Sequence, residues 1–202
     1  MTKIKICGLV RTEDIDFVNE ALPDYAGFIL HFPKSHRNVA VEEAKRLKNL
    51  LRPEIRAVGV FVNQPLERVT QAAETIGPDV LQLHGSEDND YIRELKEQTG
   101  LMVWKALRVR SEEDLAKARE SAADLVLLDN GYGTGETFDW SRAETFEREF
   151  ILAGGLTPGN IPEAILRLHP LGVDISSGVE TDHFKDREKI LAAVRAAHGE
   201  GE

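Results

Sequence analysis

Eight short apolar runs, each followed by a longer stretch with helical spacing, are the feature that most limits how this 202-residue chain can fold. Apolar runs of about four to eight residues predict buried strands, and apolar positions three or four apart predict amphipathic helices. The predicted strands are 3–7, 25–30, 55–61, 79–83, 101–106, 124–128, 150–153 and 172–175. The predicted helices are 12–21, 41–51, 65–76, 88–98, 111–119, 140–146, 158–168 and 186–197.

Strands that alternate with helices predict a parallel sheet. Two α/β architectures contain such a sheet: the closed (β/α)8 barrel, or TIM barrel, and the open doubly wound sheet, which usually has about five or six strands. Eight units in one chain favour the barrel. No segment rich in proline, glycine or serine divides the sequence, so we expect a single compact (β/α)8-barrel domain over residues 1–202.

The chain has a formal net charge of -10 and a single cysteine, Cys7. An acidic protein repels nucleic acids and anionic membrane surfaces, so we expect neither as a partner, although a few backbone amides can still bind a small anion. The N-terminus has no long apolar segment, and no run of about 18 apolar residues occurs, which together with the lone cysteine predicts a cytoplasmic protein. A lone cysteine in such a protein is most often a small buried hydrophobic residue.

Polar side chains at the predicted strand ends are candidates for chemistry, because (β/α)8 barrels carry their active sites at the carboxyl ends of the strands. Cys7 ends the first strand, Asp129 follows the sixth, and Arg37, His84 and Asp174 belong to the second, fourth and eighth units. A guanidinium group can hold a carboxylate through two parallel hydrogen bonds, but a loop arginine is by default a solvated charge. His84 also suits a structural hydrogen bond and Asp129 a turn, so the pattern alone leaves these roles open.

Two turns after the last two predicted strands indicate an anion site. Gly154 and Gly155 follow the seventh strand, and Ser177 and Gly178 follow the eighth. Each turn alone is also typical of an ordinary tight turn or helix cap. Glycine allows close approach of an anion to the backbone, and a short helix after strand eight would point its N–H groups at a phosphate. Together the two turns occupy the usual phosphate site of these barrels. A further glycine-rich loop at 131–135 is predicted to be a lid.

Eight short strings occur in a fixed order along nearly the whole chain. They are KICGL at 5–9, SxR at 35–37, GVFVN at 59–63, QLHG at 82–85, LLD at 127–129, GTGETFDW at 133–140, LAGGL at 152–156 and VDISSGVE at 173–180. In this order they resemble the phosphoribosylanthranilate isomerase family of tryptophan biosynthesis. One such string would be a weak signal, and eight in order are a strong one.

The resemblance implies an aldose–ketose isomerase that needs no cofactor. The implied reaction is the Amadori rearrangement of N-(5-phosphoribosyl)anthranilate to 1-(2-carboxyphenylamino)-1-deoxyribulose 5-phosphate. In the family a cysteine after strand one is the general base and an aspartate after strand six is the general acid, which implies these roles for Cys7 and Asp129. The resemblance also implies that Arg37 contacts the anthranilate carboxylate and that His84 and Asp174 line the substrate site.

The resemblance further implies that the substrate phosphate binds at the backbone of Gly154, Gly155, Ser177 and Gly178. No metal-binding cluster is visible in the sequence, and an isomerisation needs no redox cofactor, so we expect neither, in a protein that is a monomer or a homodimer. Because a thiolate base is needed, we expect the site to lower the pKa of the Cys7 thiol through nearby cationic groups. For a carboxylic acid to donate a proton, burial should raise its pKa.

Two departures from the family pattern concern the loops. Glu136 stands in the lid where the family often has lysine, and the segment 181–186 lacks a Pro-Gly pair and is about one residue short. Two alternatives stay open: a related sugar-phosphate isomerase, and a phosphosugar-binding barrel without activity. The isomerases of histidine biosynthesis use two aspartates, so Cys7 argues against that family, and the Cys7–Asp129 pair argues against an inactive barrel.

Overall fold

Eight parallel strands form a closed barrel in the structure of the protein, a computed structural model that describes residues 1–129 and 140–199. We number the strands β1 to β8 in chain order. They are β1 Lys3–Cys7, β2 Tyr25–Leu30, β3 Arg56–Phe61, β4 Val80–Leu83, β5 Met102–Arg108, β6 Leu125–Asp129, β7 Phe150–Ala153 and β8 Gly172–Ile175. Each strand pairs with its neighbours in the chain, and β1 pairs with both β2 and β8, which closes the sheet. The predicted (β/α)8 barrel is confirmed.

Seven α-helices lie outside the barrel within the described ranges. They are α1 Thr12–Ala21, α2 Val41–Lys48, α3 Leu66–Ile76, α4 Asn89–Thr99, α5 Glu112–Arg119, α6 Ile161–Leu168 and α7 Arg187–His198. The ring is continuous where α2 packs on α3, α3 on α4, α6 on α7, and α7 on α1. Each helix covers the outer face of the strands with its apolar side.

Two helix predictions need correction. The expected helix at 140–146 is wrong, because the chain there forms only the short 3-10 helix Trp140–Arg142, and Trp140, Ala143 and Phe146 anchor it in the core. The expected start at Pro158 is also wrong, since α6 begins at Ile161. Residues 158–160 form a turn in which the Asn160 side chain accepts a hydrogen bond from the Thr157 N–H at 2.8 Å.

The start of α1 fixes the loop that follows β1. The buried carboxylate of Asp14, in the first turn, accepts hydrogen bonds from the N–H groups of Val10 and Arg11 at 2.9 and 3.0 Å. It also pairs with the Arg11 guanidinium at 2.7 Å. A carboxylate that caps its own helix in this way stabilises the N-terminus and holds the preceding loop against it.

The apolar core has two layers because successive strand residues point to opposite faces of the sheet. The larger layer lies between the sheet and the helices. The smaller layer fills the barrel interior and contains Cys7, Tyr25, Val58, Val60, Val80, Trp104, Ala106, Leu125, Leu127 and Ile151. Tyr25 and Trp104 meet edge to face there, with ring centroids 4.8 Å apart. This interior packing supports the residues above it at the carboxyl ends of the strands.

The segment that departs from the family pattern is a tight hairpin. Its strands are Glu180–Thr181 and Phe184–Lys185, which pair antiparallel. The two residues between them, Asp182 and His183, have φ values of 51° and 67°. Two positive φ values at the centre of a two-residue loop are what a type I′ hairpin turn requires. The hairpin is therefore closed by a two-residue turn, and β8 keeps its pairing with β1 and β7.

Among the residues that the structure describes, no helix is long and apolar enough to cross a membrane.

Candidate active site

Cys7 and Asp129 both end barrel strands, β1 and β6, as the sequence predicted. The carboxyl ends of parallel strands open at one end of the barrel, so both residues reach the same mouth. Around the closed sheet, β8 and β7 lie between them on the shorter path. Cys7 and Asp129 thus stand on separate parts of one rim.

Cys7 is packed against β2. The residue is 7% exposed and belongs to the interior core layer. Its neighbour across the sheet is Gly27, and a Cβ atom at that position would lie 2.9 Å from the Cys7 sulfur. Any larger residue at Gly27 would displace the thiol, so the glycine makes the space that the sulfur occupies. The backbone carbonyl of Cys7 accepts a hydrogen bond from the Ser176 hydroxyl at 3.0 Å, which ties β1 to the loop after β8.

A buried ion pair lies directly below the Cys7 thiol. The Lys5 Nζ donates to both carboxylate oxygens of Asp174 at 3.0 Å, and the Lys5 side chain is fully buried. The positive charge of the Lys5 ammonium favours ionisation of the nearby Cys7 thiol. Sequence reasoning missed Lys5, because a lysine in a strand ordinarily points its charge to solvent. The only signal for it is position: Lys5 precedes Cys7 by two residues and so shares its inward face.

The direction of the Cys7 pKa differs from the expectation. Burial raises the pKa of the thiol, because a thiolate loses its hydration inside the barrel. Lys5 and Lys185 favour the thiolate, and Asp174 opposes it. Burial outweighs the cations, so the pKa lies above the ordinary thiol value. The expected lowering was wrong, because the sequence shows the cations but not how deeply the sulfur is buried.

Arg37 lies next to Cys7 and is held by a carboxylate of the protein itself. Its aliphatic stem covers Gly8, so closely that a Cβ atom at Gly8 would collide with it. Its Nε and Nη2 each donate to Glu180 at 2.6 Å, a two-point contact that raises the pKa of the guanidinium. Lys185, also buried, donates to Glu180 at 2.7 Å. Sequence reasoning placed Arg37 at the site and missed Glu180, although the string VDISSGVE contains it.

Three side chains on β4 and β6 form a hydrogen-bonded row. His84 Nε2 lies 2.9 Å from Asp129 Oδ2, and His84 Nδ1 lies 3.4 Å from the Gln82 amide nitrogen. With the Gln82 amide donating to Nδ1, Nε2 is the His84 nitrogen that directs a proton toward the Asp129 carboxyl group. Gln82 is fully buried, and its Oε1 has no hydrogen-bond partner in the described part of the chain. His84 therefore orients Asp129, and Gln82 orients His84.

The two predicted anion-binding turns are neighbours. Gly154 and Gly155 follow β7 with φ values of 87° and 69°. The short 3-10 helix Ser177–Val179 follows β8, and its first N–H groups have no partner within the helix. Gly178 lies so close to the Leu156 carbonyl that a Cβ atom would overlap the oxygen. The absence of a side chain at Gly178 thus lets the two turns meet.

Two of the predictions concern residues that the structure does not describe. The lid loop 131–135 and Glu136 fall outside the described residues. Within residues 1–129 and 140–199, no group of three or more histidine, cysteine, aspartate or glutamate side chains is placed to hold a metal ion.

The comparison with known proteins decides the family. The sequence profile described as N-(5'phosphoribosyl)anthranilate (PRA) isomerase matches residues 4–196. The chain belongs to this family. The resemblance inferred from the eight strings is confirmed, and members of the PRA isomerase family are isomerases.

Several PRA isomerases are similar over their whole length. Those of Thermoanaerobacter sp. (strain X514) and Acetivibrio thermocellus are 47% and 44% identical, and each alignment covers 98% of this chain and at least 98% of the relative. Among solved structures, PRA isomerase from Thermotoga maritima is 37% identical with a TM-score of 0.89. A PRA isomerase crystallised with reduced 1-(o-carboxyphenylamino)-1-deoxyribulose 5-phosphate is 36% identical with a TM-score of 0.86. Both alignments cover 98% of this chain.

Proposed function

We propose that this protein catalyses the isomerisation of N-(5'-phosphoribosyl)anthranilate to 1-(2-carboxyphenylamino)-1-deoxyribulose 5-phosphate in tryptophan biosynthesis. The observation that carries the proposal is the placement of Cys7 and Asp129 on β1 and β6 at one barrel mouth, in a chain that belongs to the PRA isomerase family. A base and an acid separated in this way can act on the two sides of one sugar. The neighbouring turns after β7 and β8 are the proposed binding site for its phosphate.

Asp129 is the proposed general acid for ring opening. As the bond between C1' and the furanose oxygen breaks, its electron pair passes to the oxygen, which takes the Asp129 proton. The lone pair of the anthranilate nitrogen forms a C1'=N bond at the same time, which gives an open-chain cationic imine. The hydrogen bond between His84 Nε2 and Asp129, at 2.9 Å, fixes the direction of the carboxyl group, so that its proton is aimed at the ring oxygen.

Cys7 is the proposed general base for the second step. The cationic imine makes the C2' proton acidic, and the Cys7 thiolate removes it. The electrons of the C2'–H bond form a C1'=C2' bond and neutralise the nitrogen, which leaves an enaminol. Protonation of C1', with loss of the proton from the C2' hydroxyl, gives the ketone, so substrate and product are isomers and no redox cofactor is needed.

Arg37 and the two glycine turns are the proposed binding groups. The two-point contact with Glu180 fixes the plane of the Arg37 guanidinium beside Cys7, where it can attract the anthranilate carboxylate. We propose that the phosphate accepts hydrogen bonds from the N–H groups of Gly154, Gly155, Ser177 and Gly178. We propose that His84 contributes through its hydrogen bond to Asp129 and that Asp174 contributes from below Cys7.

The expected partner is a small phosphosugar, with no nucleic acid and no membrane, in agreement with the net charge of -10. We propose a cytoplasmic location. The oligomeric state in our proposal is monomer or homodimer. The Thermotoga maritima PRA isomerase is described as dimeric, and monomers of it have also been generated.

The direct test is an assay of the purified protein with freshly generated N-(5'-phosphoribosyl)anthranilate. Anthranilate derivatives fluoresce, so loss of substrate is followed continuously, and product formation is verified by mass and chromatography. We expect catalysed turnover that stops when the substrate is exhausted. Tight binding of the substrate without turnover would identify a phosphosugar-binding barrel instead. Turnover of a histidine-pathway aminoaldose in place of this substrate would identify the related isomerase.

A further inference from the structure

The Lys5–Asp174 pair is not explained by stability. Both groups lie in the barrel interior, where Tyr25, Trp104 and Ile151 are the packing neighbours of the core layer. Removing two charges from water is costly, and well-packed apolar side chains of similar volume usually stabilise a core as well or better. The roles proposed above for the site residues do not involve Lys5 either, since its side chain is fully buried below the mouth.

The register of three strands brings this pair against the Cys7 sulfur. Lys5 on β1 is the direct neighbour of Asp174 on β8, and Cys7 is the neighbour of Gly27 on β2. A Cβ atom built on Gly27 would lie 2.9 Å from the Cys7 sulfur and also 2.9 Å from Lys5 Cε. The end of the lysine and the thiol therefore lie side by side over one glycine. Asp174 holds the ammonium from the opposite side with two hydrogen bonds.

We propose that Lys5, anchored by Asp174, is a positioning residue that holds an ammonium group against the Cys7 sulfur and stabilises its thiolate form. Asp174 keeps the lysine charged in the core, and the positive charge of the lysine stabilises the negative charge of the thiolate. That Lys5 supports a catalytic base rests on the proposed function. That Lys5 stabilises the Cys7 thiolate does not depend on the proposed function.

The other charged groups that face Cys7 are Lys185 and Arg37. Both are engaged by Glu180, Lys185 at 2.7 Å and Arg37 at 2.6 Å, so these two cations share a single carboxylate. Burial lowers the pKa of Lys185, whereas Asp174 and Cys7 outweigh burial and raise the pKa of Lys5. Of the two lysines that face Cys7, Lys5 is therefore the one whose pKa is raised and whose charge is retained as the thiol ionises.

The test measures the Cys7 thiol directly. Cys7 is the single cysteine, so protein labelled with [13Cβ]-cysteine gives one resonance whose shift against pH reports ionisation of the thiol. In the double variant Lys5→Met/Asp174→Asn, which removes both charges together, we expect the midpoint to rise by about one pH unit or more. That corresponds to roughly ten-fold less thiolate at a given pH below the midpoint. An unchanged midpoint in the folded double variant would overturn the proposal.

A second buried ion pair provides the matched control. Lys105 and Glu87 are also buried and lie 2.8 Å apart, near the start of α4 and away from Cys7. The variant Lys105→Met/Glu87→Gln should leave the Cys7 midpoint where it is in the unchanged protein. An equal rise in this control would show that loss of any buried pair moves the thiol, and would also overturn the proposal.

A measurement on the unchanged protein covers the case in which the double variant does not fold. The 15Nζ and 13Cε resonances of Lys5 should shift at the same midpoint as the Cys7 resonance, and this shift should disappear in Cys7→Ser. Lys5 resonances that stay constant through the Cys7 titration would refute the contact. None of these titrations requires turnover, so they would test this inference even if the protein were inactive in the isomerase assay.

Discussion

The two sides of the barrel mouth surround Cys7 and Asp129 with different kinds of groups. We call the side formed by Lys5, Cys7, Asp174 and Lys185 the thiol side, and the side formed by Gln82, His84 and Asp129 the carboxyl side. The thiol side contains buried cations and a buried carboxylate within contact distance. The described contacts of the carboxyl side instead form a row of hydrogen bonds through a histidine ring and an amide.

This difference follows from the proposed chemistry. A base must reach its charged form, and full charges nearby are the strongest means of favouring a thiolate inside a protein. An acid must keep its proton until the transition state, and a hydrogen bond from an imidazole N–H orients a carboxyl group. Substitutions on the two sides should therefore differ in kind, and the following variants test that, from the largest expected effect to the smallest.

Cys7→Ala should have the largest effect, because it removes the only proposed base. We expect kcat/KM to fall by about 10⁴-fold, the upper end of what one general base contributes. The change deletes one buried sulfur atom, so the fold should survive, and circular dichroism with thermal unfolding provides the control. Near-normal turnover in the purified, folded variant would break the assignment of the thiol side.

Asp129→Asn should lower kcat by about 10²- to 10³-fold and change KM much less, because the proton is needed mainly in the transition state. Asparagine has nearly the same shape and can still contact His84, so the row through His84 should persist. Steady-state kinetics separate the two constants. If the loss appeared in KM alone, Asp129 would be a binding group and the comparison between the two sides would fail.

Arg37→Lys should raise KM by roughly ten-fold while kcat changes less. Lysine keeps the charge but loses the planar fork that Glu180 holds with two hydrogen bonds, and with it the two-point contact to a carboxylate. A substrate analogue without the anthranilate carboxylate is the matched probe, since its binding should be indifferent to this substitution. Equally weakened binding of both ligands would mean that Arg37 supports the structure of the protein and does not contact the substrate carboxylate.

Gln82→Met should have the smallest effect and concerns the carboxyl side below His84. Gln82 is fully buried, its Oε1 has no described partner, and its bond to His84 is long at 3.4 Å. Replacing a poorly satisfied buried polar group by an apolar one of similar shape is nearly neutral, so the free energy of unfolding should change by less than about 1 kcal/mol. Denaturant unfolding measures this change. A loss of several kcal/mol would show that the row on the carboxyl side is fully satisfied by buried water.

The sequence by itself determined the barrel and the outline of its mouth. Alternating strand and helix patterns are local properties, and the bounds of β1, β2, β7 and β8 were predicted to the residue. Cys7 and Asp129 were placed at strand ends for the same reason. The helix expected at 140–146 failed, because apolar spacing over one or two turns fits a short 3-10 helix packed on the core equally well.

Only the tertiary structure decided how the site is charged. Lys5 and Asp174 are 169 residues apart in the chain, and Arg37 and Glu180 are 143 apart, so closure of the barrel is what makes them partners. The pKa of Cys7 likewise depends on burial, which a local pattern does not measure. Strand periodicity fixes which face a side chain points to, but the charges and the depth of burial that it meets there come from the other strands that close around it.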